Sequence, residues 1–247
     1  MRRDGVLAPD LDERMAGWRI IGYITALNAL FGAQIIGAGD RVYYGFLAQN
    51  VADPSLFVVV ERGTGSVIEW IQNARFAPIP TQYGFVEAGF WGIHLSAQYK
   101  GQNAALGIAA DIPSGSHVTV IGHSLGGALA TYLTRELVDA ANGDFEVEAQ
   151  FFASPKPGLV DFVNGFETRV GRNNYVSHVF VSDFVPHLPP GFMGYHDLPN
   201  VNLIQPRTAL GPAPTKRGSP LEVYREAHHA TTYASLLGAY QPAGEAA

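Results

Sequence analysis

The chain has 247 residues, 47% of them hydrophobic and 15% charged, with a formal net charge of −6. So apolar a chain with so few charges is not intrinsically disordered, and three lysines against thirteen arginines, without a basic stripe, exclude the electrostatic footprint of a nucleic-acid binder. There is no cysteine, which excludes disulfides, cysteine-ligated zinc and thiol catalysis.

In chain order, Ile20 to Gly39 is fairly apolar but interrupted by Asn28, Gln34 and small residues. It lacks the basic start and continuous apolar run of a signal peptide and the strongly apolar twenty residues of a membrane span. The expectation is an N-terminal helical segment, residues 1–40, packed on a single domain covering 1–247. Localisation stays open between the cytoplasm and secretion by a route not visible in the sequence. Val42 to Leu47, Leu56 to Val60, Val118 to Ile121, Val147 to Ala153 and Tyr175 to Val181 read as strands, and their continuous apolar runs suggest burial on both faces. Between them, Phe85, Ala88, Trp91, Leu95 and Tyr99 fall at helical steps. So do Leu125, Ala128, Leu129, Tyr132, Leu133 and Leu137, and more briefly Leu159, Phe162, Val163 and Phe166. Strands alternating with helices of this length predict an α/β architecture, mostly parallel in its centre, with helices on both faces of the sheet. Gln205 to Pro220 holds four prolines and two glycines and reads as a long surface loop.

Val118 to Ala130 contains Gly-x-Ser-x-Gly at Gly122, Ser124 and Gly126. About 0.14 copies of that pattern are expected by chance at this glycine and serine content. Its setting is more specific than the pattern: a β-branched strand ends at Gly122 and an amphipathic helix begins at Leu125. A serine on a strand-to-helix elbow needs small residues two positions either side, because side chains there would strike the strand or the helix. The hydroxyl of Ser124 would be held clear of the sheet. The N–H of Leu125, at the helix start, would be aimed at a developing oxyanion.

A nucleophilic serine needs a base, and the base a carboxylate that orients it. With an elbow of this kind the order is serine, acid, histidine. Asp139 and Asp144 lie on or just after the elbow helix, and Asp161 lies in a helical stripe. Asp183 follows the apolar run Tyr175 to Ser182 at a strand's C-terminal end, where sites of α/β sheets gather. Of the histidines beyond it, His187 and His196 are too close in sequence to arc back, which leaves the pair His228 and His229 at the start of a terminal helix. Helical spacing alone would pair His229 with Tyr233.

These motifs, in this order from Tyr44 to Tyr233, resemble the class 3 lipases, the fungal-type triacylglycerol lipases and their relatives. Val58-Val-Val-Glu-Arg-Gly-Thr64 is similar to the family's strand followed by Arg-Gly-Ser/Thr. Val67-Ile-Glu-Trp-Ile71 is similar to its lid. Gly89-Phe90, Gly122 to Ala130, Ala153-Ser-Pro-Lys-Pro-Gly158 and Ser182 to Pro190 match its later motifs. His228-x4-Tyr233 resembles the terminal element of bacterial and plant members, which suggests a bacterial-like chain. The resemblance implies an α/β-hydrolase fold with a short lid at 64–76. It implies Ser124 as nucleophile, Asp183 as acid and His228 as base, with Thr64 and Leu125 forming the oxyanion hole. The implied activity is ester hydrolysis by a lipase, with a feruloyl-type or short-chain esterase as the alternative. A non-catalytic binding protein is disfavoured because every triad and oxyanion position is filled. No metal or cofactor is expected. The partners would be a small-molecule or lipid ester and, transiently, a lipid interface; the oligomeric state is not readable. Trp70, Phe90, Trp91, Phe184, Val185, Leu188, Phe192 and Met193 are candidate lid and substrate contacts, with Pro189 to Gly194 as a substrate-facing loop.

Overall fold

The computed structural model describes residues 15–27, 40–63, 76–205 and 226–238. Its elements are β1 (Trp18–Leu27), β2 (Arg41–Asn50), β3 (Leu56–Glu61), β4 (Pro78–Thr81), β5 (Gly84–Glu87), α1 (Ala88–Leu95), β6 (Gln98–Tyr99), β7 (Gln102–Asn103), α2 (Ala104–Asp111), β8 (His117–His123), α3 (Leu125–Ala141), β9 (Glu146–Phe152), β10 (Gly158–Leu159), α4 (Val160–Val170), β11 (Tyr175–Phe180), β12 (Tyr195–His196), β13 (Val201–Ile204) and α5 (Ala230–Leu236). A nine-stranded sheet runs in the order β13-β11-β9-β8-β3-β2-β1-β6-β7. From β3 to β13 the pairings are parallel, and from β3 to β7 antiparallel. A second sheet, β12-β10-β5-β4, is antiparallel throughout. The five predicted strands are all present.

The parallel strands alternate. Phe57 and Val59 of β3, Val118 and Val120 of β8, and Val147, Ala149 and Phe151 of β9 point to one face and are buried. They meet the predicted stripe of α3, in which Leu125, Ala128, Leu129, Tyr132, Leu133 and Leu137 are all buried. Asn142 and Gly143, both at positive φ, end α3. The opposite face carries a smaller cluster at the sheet's C-terminal end, made by Ala153, Phe180, Ile204, Ala227 and Tyr233 with Phe152 and Leu236 against it. There α5 lies over β9 and β11. No helix among the described residues is long and apolar enough to cross a membrane.

Two expectations are corrected. The N-terminal helical segment over 1–40 is, in its described part, strand β1, paired antiparallel with β2 from Trp18 opposite Asn50 to Leu27 opposite Arg41. Ile20, Ile21, Ile24 and Thr25, with Tyr23 between them, are β-branched or aromatic and favour a pleated surface; residues 1–14 and 28–39 lie outside the described part. The stripe from Phe85 to Tyr99 is helical only over α1. Phe85 belongs to β5, ahead of Glu87, which caps α1 by accepting the Phe90 N–H at 2.8 Å, and Tyr99 to β6, beyond the C-cap Ser96.

The last residue of β3 breaks the apolar rule. Glu61 lies on the core face with Phe57 and Val59 and is 3% exposed. Its Oε2 has no hydrogen-bond partner among the described residues. Burial, and then the Glu136 carboxylate, push its pKa from the usual 4.5 up to about 8. Between those values the folded chain holds a proton that the unfolded chain releases, so the contribution is most favourable below pH 4.5 and is lost as pH rises towards 8. Glu61→Gln should therefore raise the thermal midpoint at pH 8, by a stability increment on the order of a few kcal/mol, and raise it little near pH 4.5. Melts of both proteins at the two pH values check this; an equal gain at both would contradict it.

Candidate active site

β8 must become α3 within one residue, and that residue is Ser124, at φ 59° and ψ −132°. A non-glycine residue held there costs on the order of 1–3 kcal/mol. The turn is held by the Ser124 N–H donating to the Phe152 carbonyl at 2.9 Å and by the Gly127 N–H donating to the Ser124 carbonyl at 2.7 Å. It also needs close backbone approach. A Cβ at Gly122 would collide with the carbonyl of Gly126, and one at Gly126 with the backbone of Glu61 and Arg62. A serine at a helix start ordinarily caps the helix with its own oxygen. Here the twisted backbone turns Oγ away, and Ser124 makes no capping bond.

The Oγ instead lies 2.8 Å from His228 Nε2, on a residue 104 positions later. His228 Nδ1 lies 2.9 Å from Asp183 Oδ2 and 3.1 Å from Oδ1. Nδ1–H therefore donates to the carboxylate, and Nε2 accepts from the serine hydroxyl. All three are buried, with exposures of 2%, 5% and 1% for Ser124, His228 and Asp183. Asp183 leaves the C-terminal end of β11, and its Oδ1 accepts the Val185 N–H at 3.0 Å. A third donor is the Tyr233 hydroxyl, 2.8 Å from Oδ2. That hydroxyl accepts in turn from the Phe180 N–H at 2.9 Å. Burial, and then the Asp183 charge, push the Tyr233 pKa far up, so it stays a donor.

The structure thus brings Ser124, Asp183 and His228 together. It separates the two histidines: His229 is exposed, caps α5 with its backbone and lies 3.3 Å from the Thr231 hydroxyl. The spacing that would pair His229 with Tyr233 loses because Tyr233 turns to Asp183. The other aspartates serve elsewhere: Asp161 accepts the Phe85 N–H, and Asp139 pairs with Arg135 and Arg169. Leu125 is the first residue of α3, where an N–H has no partner within the helix. Thr64, Trp70 and all but the last residue of the expected lid at 64–76 lie outside the described residues. Gly63, just before Thr64, stands so close that a Cβ on it would lie 2.8 Å from the Ser124 Cβ.

The predicted substrate contacts divide. Phe90, Val185 and Leu188 are buried in the main core, and Trp91 packs among Tyr83, His94 and Tyr132. Phe184, Phe192 and Met193 face solvent, Phe192 at 91% exposure. Two residues of the site were present in the sequence motifs without a role. One is Tyr233. The other is His123, whose Nε2 lies 2.9 Å from the His228 carbonyl oxygen.

A parallel sheet with an elbow serine at one strand's end and an acid and a histidine following in that order defines an α/β-hydrolase. The family described as lipase (class 3) matches residues 58–193, and the chain belongs to that family. The secreted mono- and diacylglycerol lipase A of Penicillium cyclopium is 27% identical over 192 residues, 71% of this chain and 60% of that protein. Phospholipase A1-II 1 of Oryza sativa subsp. indica is 28% identical over 192 residues, 66% of this chain and 46% of that one. The chain thus spans three fifths or less of these two curated relatives. The crystal structure of M37 lipase shares the fold, with a TM-score of 0.70 at 16% identity over 93% of this chain and 85% of that one. These two relatives are a fungal and a plant protein, which gives no support to a bacterial-like character.

Tyr233→Phe takes the acceptor from the Phe180 N–H and one of two donors from Asp183 Oδ2, which keeps His228 Nδ1–H. It should lower stability by about 1–3 kcal/mol. Urea unfolding checks this, and an unchanged midpoint would mean that the hydroxyl holds nothing.

Proposed function

We propose that this chain hydrolyses carboxylic esters of fatty acyl groups through an acyl-enzyme on Ser124. The observation that carries this is the continuous hydrogen-bonded line from Ser124 Oγ to His228 Nε2 at 2.8 Å and from His228 Nδ1 to Asp183 at 2.9 Å. As Oγ attacks the ester carbonyl, His228 takes its proton and then gives it to the leaving alcohol. Asp183 fixes the tautomer of His228 and stabilises the imidazolium. Water, deprotonated by the same imidazole, then releases the acid.

The oxyanion needs donors that are already in place. Leu125 offers the N–H of a helix start, where the helix dipole also favours negative charge. Thr64 is the second donor: it follows Gly63 by one peptide, about 3.8 Å between Cα atoms, and Gly63 stands against Ser124. Losing one such donor costs roughly 3 kcal/mol of transition-state stabilisation.

A long apolar acyl chain fits the exposed Phe184, Phe192 and Met193 on the loop that follows the acid. Relatives named as a mono- and diacylglycerol lipase and as a phospholipase A1 support an acyl ester of a lipid as substrate. The relative named as secreted supports action outside the cell. The segment 64–76, with Trp70, serves as the short lid.

Ser124→Ala and His228→Ala should each lower ester hydrolysis by roughly 10⁴–10⁶-fold in folded protein, while the His229→Ala rate stays near wild type. Nitrophenyl ester assays of the three decide the matter; a dead His229 variant beside an active His228 variant would reverse the assignment. On a chain-length series that ends in emulsified triglyceride, the wild type should favour long acyl chains. Trp70→Ala should lose more on the emulsion than on short soluble esters. An equal loss on both would assign Trp70 to packing.

A further inference from the structure

His123 is the last residue of β8. Alternation along the strand turns Val118, Val120 and Gly122 towards α3 and His123 to the opposite face. The register sets it beside Phe152 of β9. There its ring centroid lies 5.0 Å from that of His228, and Tyr233 meets it edge-on at 6.0 Å. Its Nε2 is 2.9 Å from the His228 carbonyl oxygen. A carbonyl oxygen can only accept, so Nε2 carries a proton and donates it.

Burial, and then His228, push the His123 pKa down to about 4. The ring is neutral at pH 7, its single proton is on Nε2, and Nδ1 is bare. Neutrality matters at 5.0 Å from the other imidazole, because a second cation there would oppose protonation of His228.

We propose, on the ester-hydrolase reading above, that His123 is a positioning residue for the base: its Nε2–H holds the backbone of His228, and with it the imidazole, at bonding distance from Ser124. The chain geometry makes this bond a gauge between the two reacting groups. His123 and Ser124 are consecutive, so any shift of the nucleophile moves the donor with it. His228 lies 105 residues from His123, on a short turn ahead of α5. The bond ties that turn to the nucleophile's own strand, whereas Asp183 grips only the imidazole end. Filling space at this position would need a ring; gauging the base needs a donor at the Nε2 position.

Two variants separate those requirements. His123→Phe keeps the ring and removes the donor. His123→Gln gives up the ring and places an amide N–H near the Nε2 position. On a soluble nitrophenyl ester, with thermal melts confirming that each protein is folded, His123→Phe should lower kcat by about 10–100-fold with KM little changed. His123→Gln should return kcat to within about fivefold of wild type. A wild-type kcat in the Phe variant, or a Gln variant as impaired as the Phe one, would overturn the proposal. A readout that needs no change at His123 is the imidazole nitrogen spectrum of 15N-labelled Ser124→Ala protein at pH 7. The expected state of His123 is the neutral Nε2–H tautomer; an Nδ1–H tautomer or a charged ring would refute the bond. If wild type and Ser124→Ala hydrolyse esters equally, the serine reading fails and its base needs no gauge. If Ser124→Ala is dead while the His123 outcomes go the wrong way, the positioning role alone fails.

Discussion

At the end of β8 three stretches of backbone come as close as backbones can. The strand end at Gly122, the first turn of α3 at Gly126 and the end of β3 at Glu61 and Arg62 leave no room for a Cβ between them. That approach forces Ser124 out of ordinary backbone conformations and frees its hydroxyl from capping the helix. It also brings Gly63 against Ser124, so the chain that leaves β3 starts its next segment beside the nucleophile. The close approach of Gly63 to Ser124 is thus a by-product of how β3, β8 and α3 pack.

The sheet's two faces divide the labour. The α3 face is an apolar core interrupted by the buried Glu61 of β3. The opposite face, at the C-terminal ends of β8, β9 and β11, holds the polar groups. Asp183 is almost wholly buried, and a carboxylate in such a place is costly unless its oxygens are engaged. The Val185 N–H, the Tyr233 hydroxyl and His228 Nδ1–H engage them. These donors fix the carboxylate's orientation and so the imidazole plane that faces the serine.

The parts of this arrangement visible in the sequence are those written locally. The β-branched run before Gly122 and the stripe after Leu125 announce the elbow, and the position of Asp183 at a strand end singles it out among the five aspartates that follow Ser124. Only the family resemblance separates His228 from His229, since helical spacing points the other way. β1 is hidden in the sequence because glycines and alanines continue the apolar stretch beyond it, although its own ten residues are rich in β-formers. The Tyr233–Asp183 and His123–His228 bonds bridge 50 and 105 residues and leave no local trace. Phe90 and Phe192 are both phenylalanines near recognisable motifs, yet one is core and the other almost fully in solvent; what packs over a residue is decided by distant chain.

The small cluster of Ala153, Phe180, Ile204, Ala227 and Tyr233 stands apart from the main core and anchors the terminal turn that carries His228. Free energies of local opening vary within one protein and follow the apolar contacts that each unit must break. Opening the turn that carries His228 breaks these contacts together with the bonds to His123 and Asp183. Tyr233 belongs both to that cluster and to the Asp183 carboxylate, so one side chain seats α5 on the sheet and orients the acid.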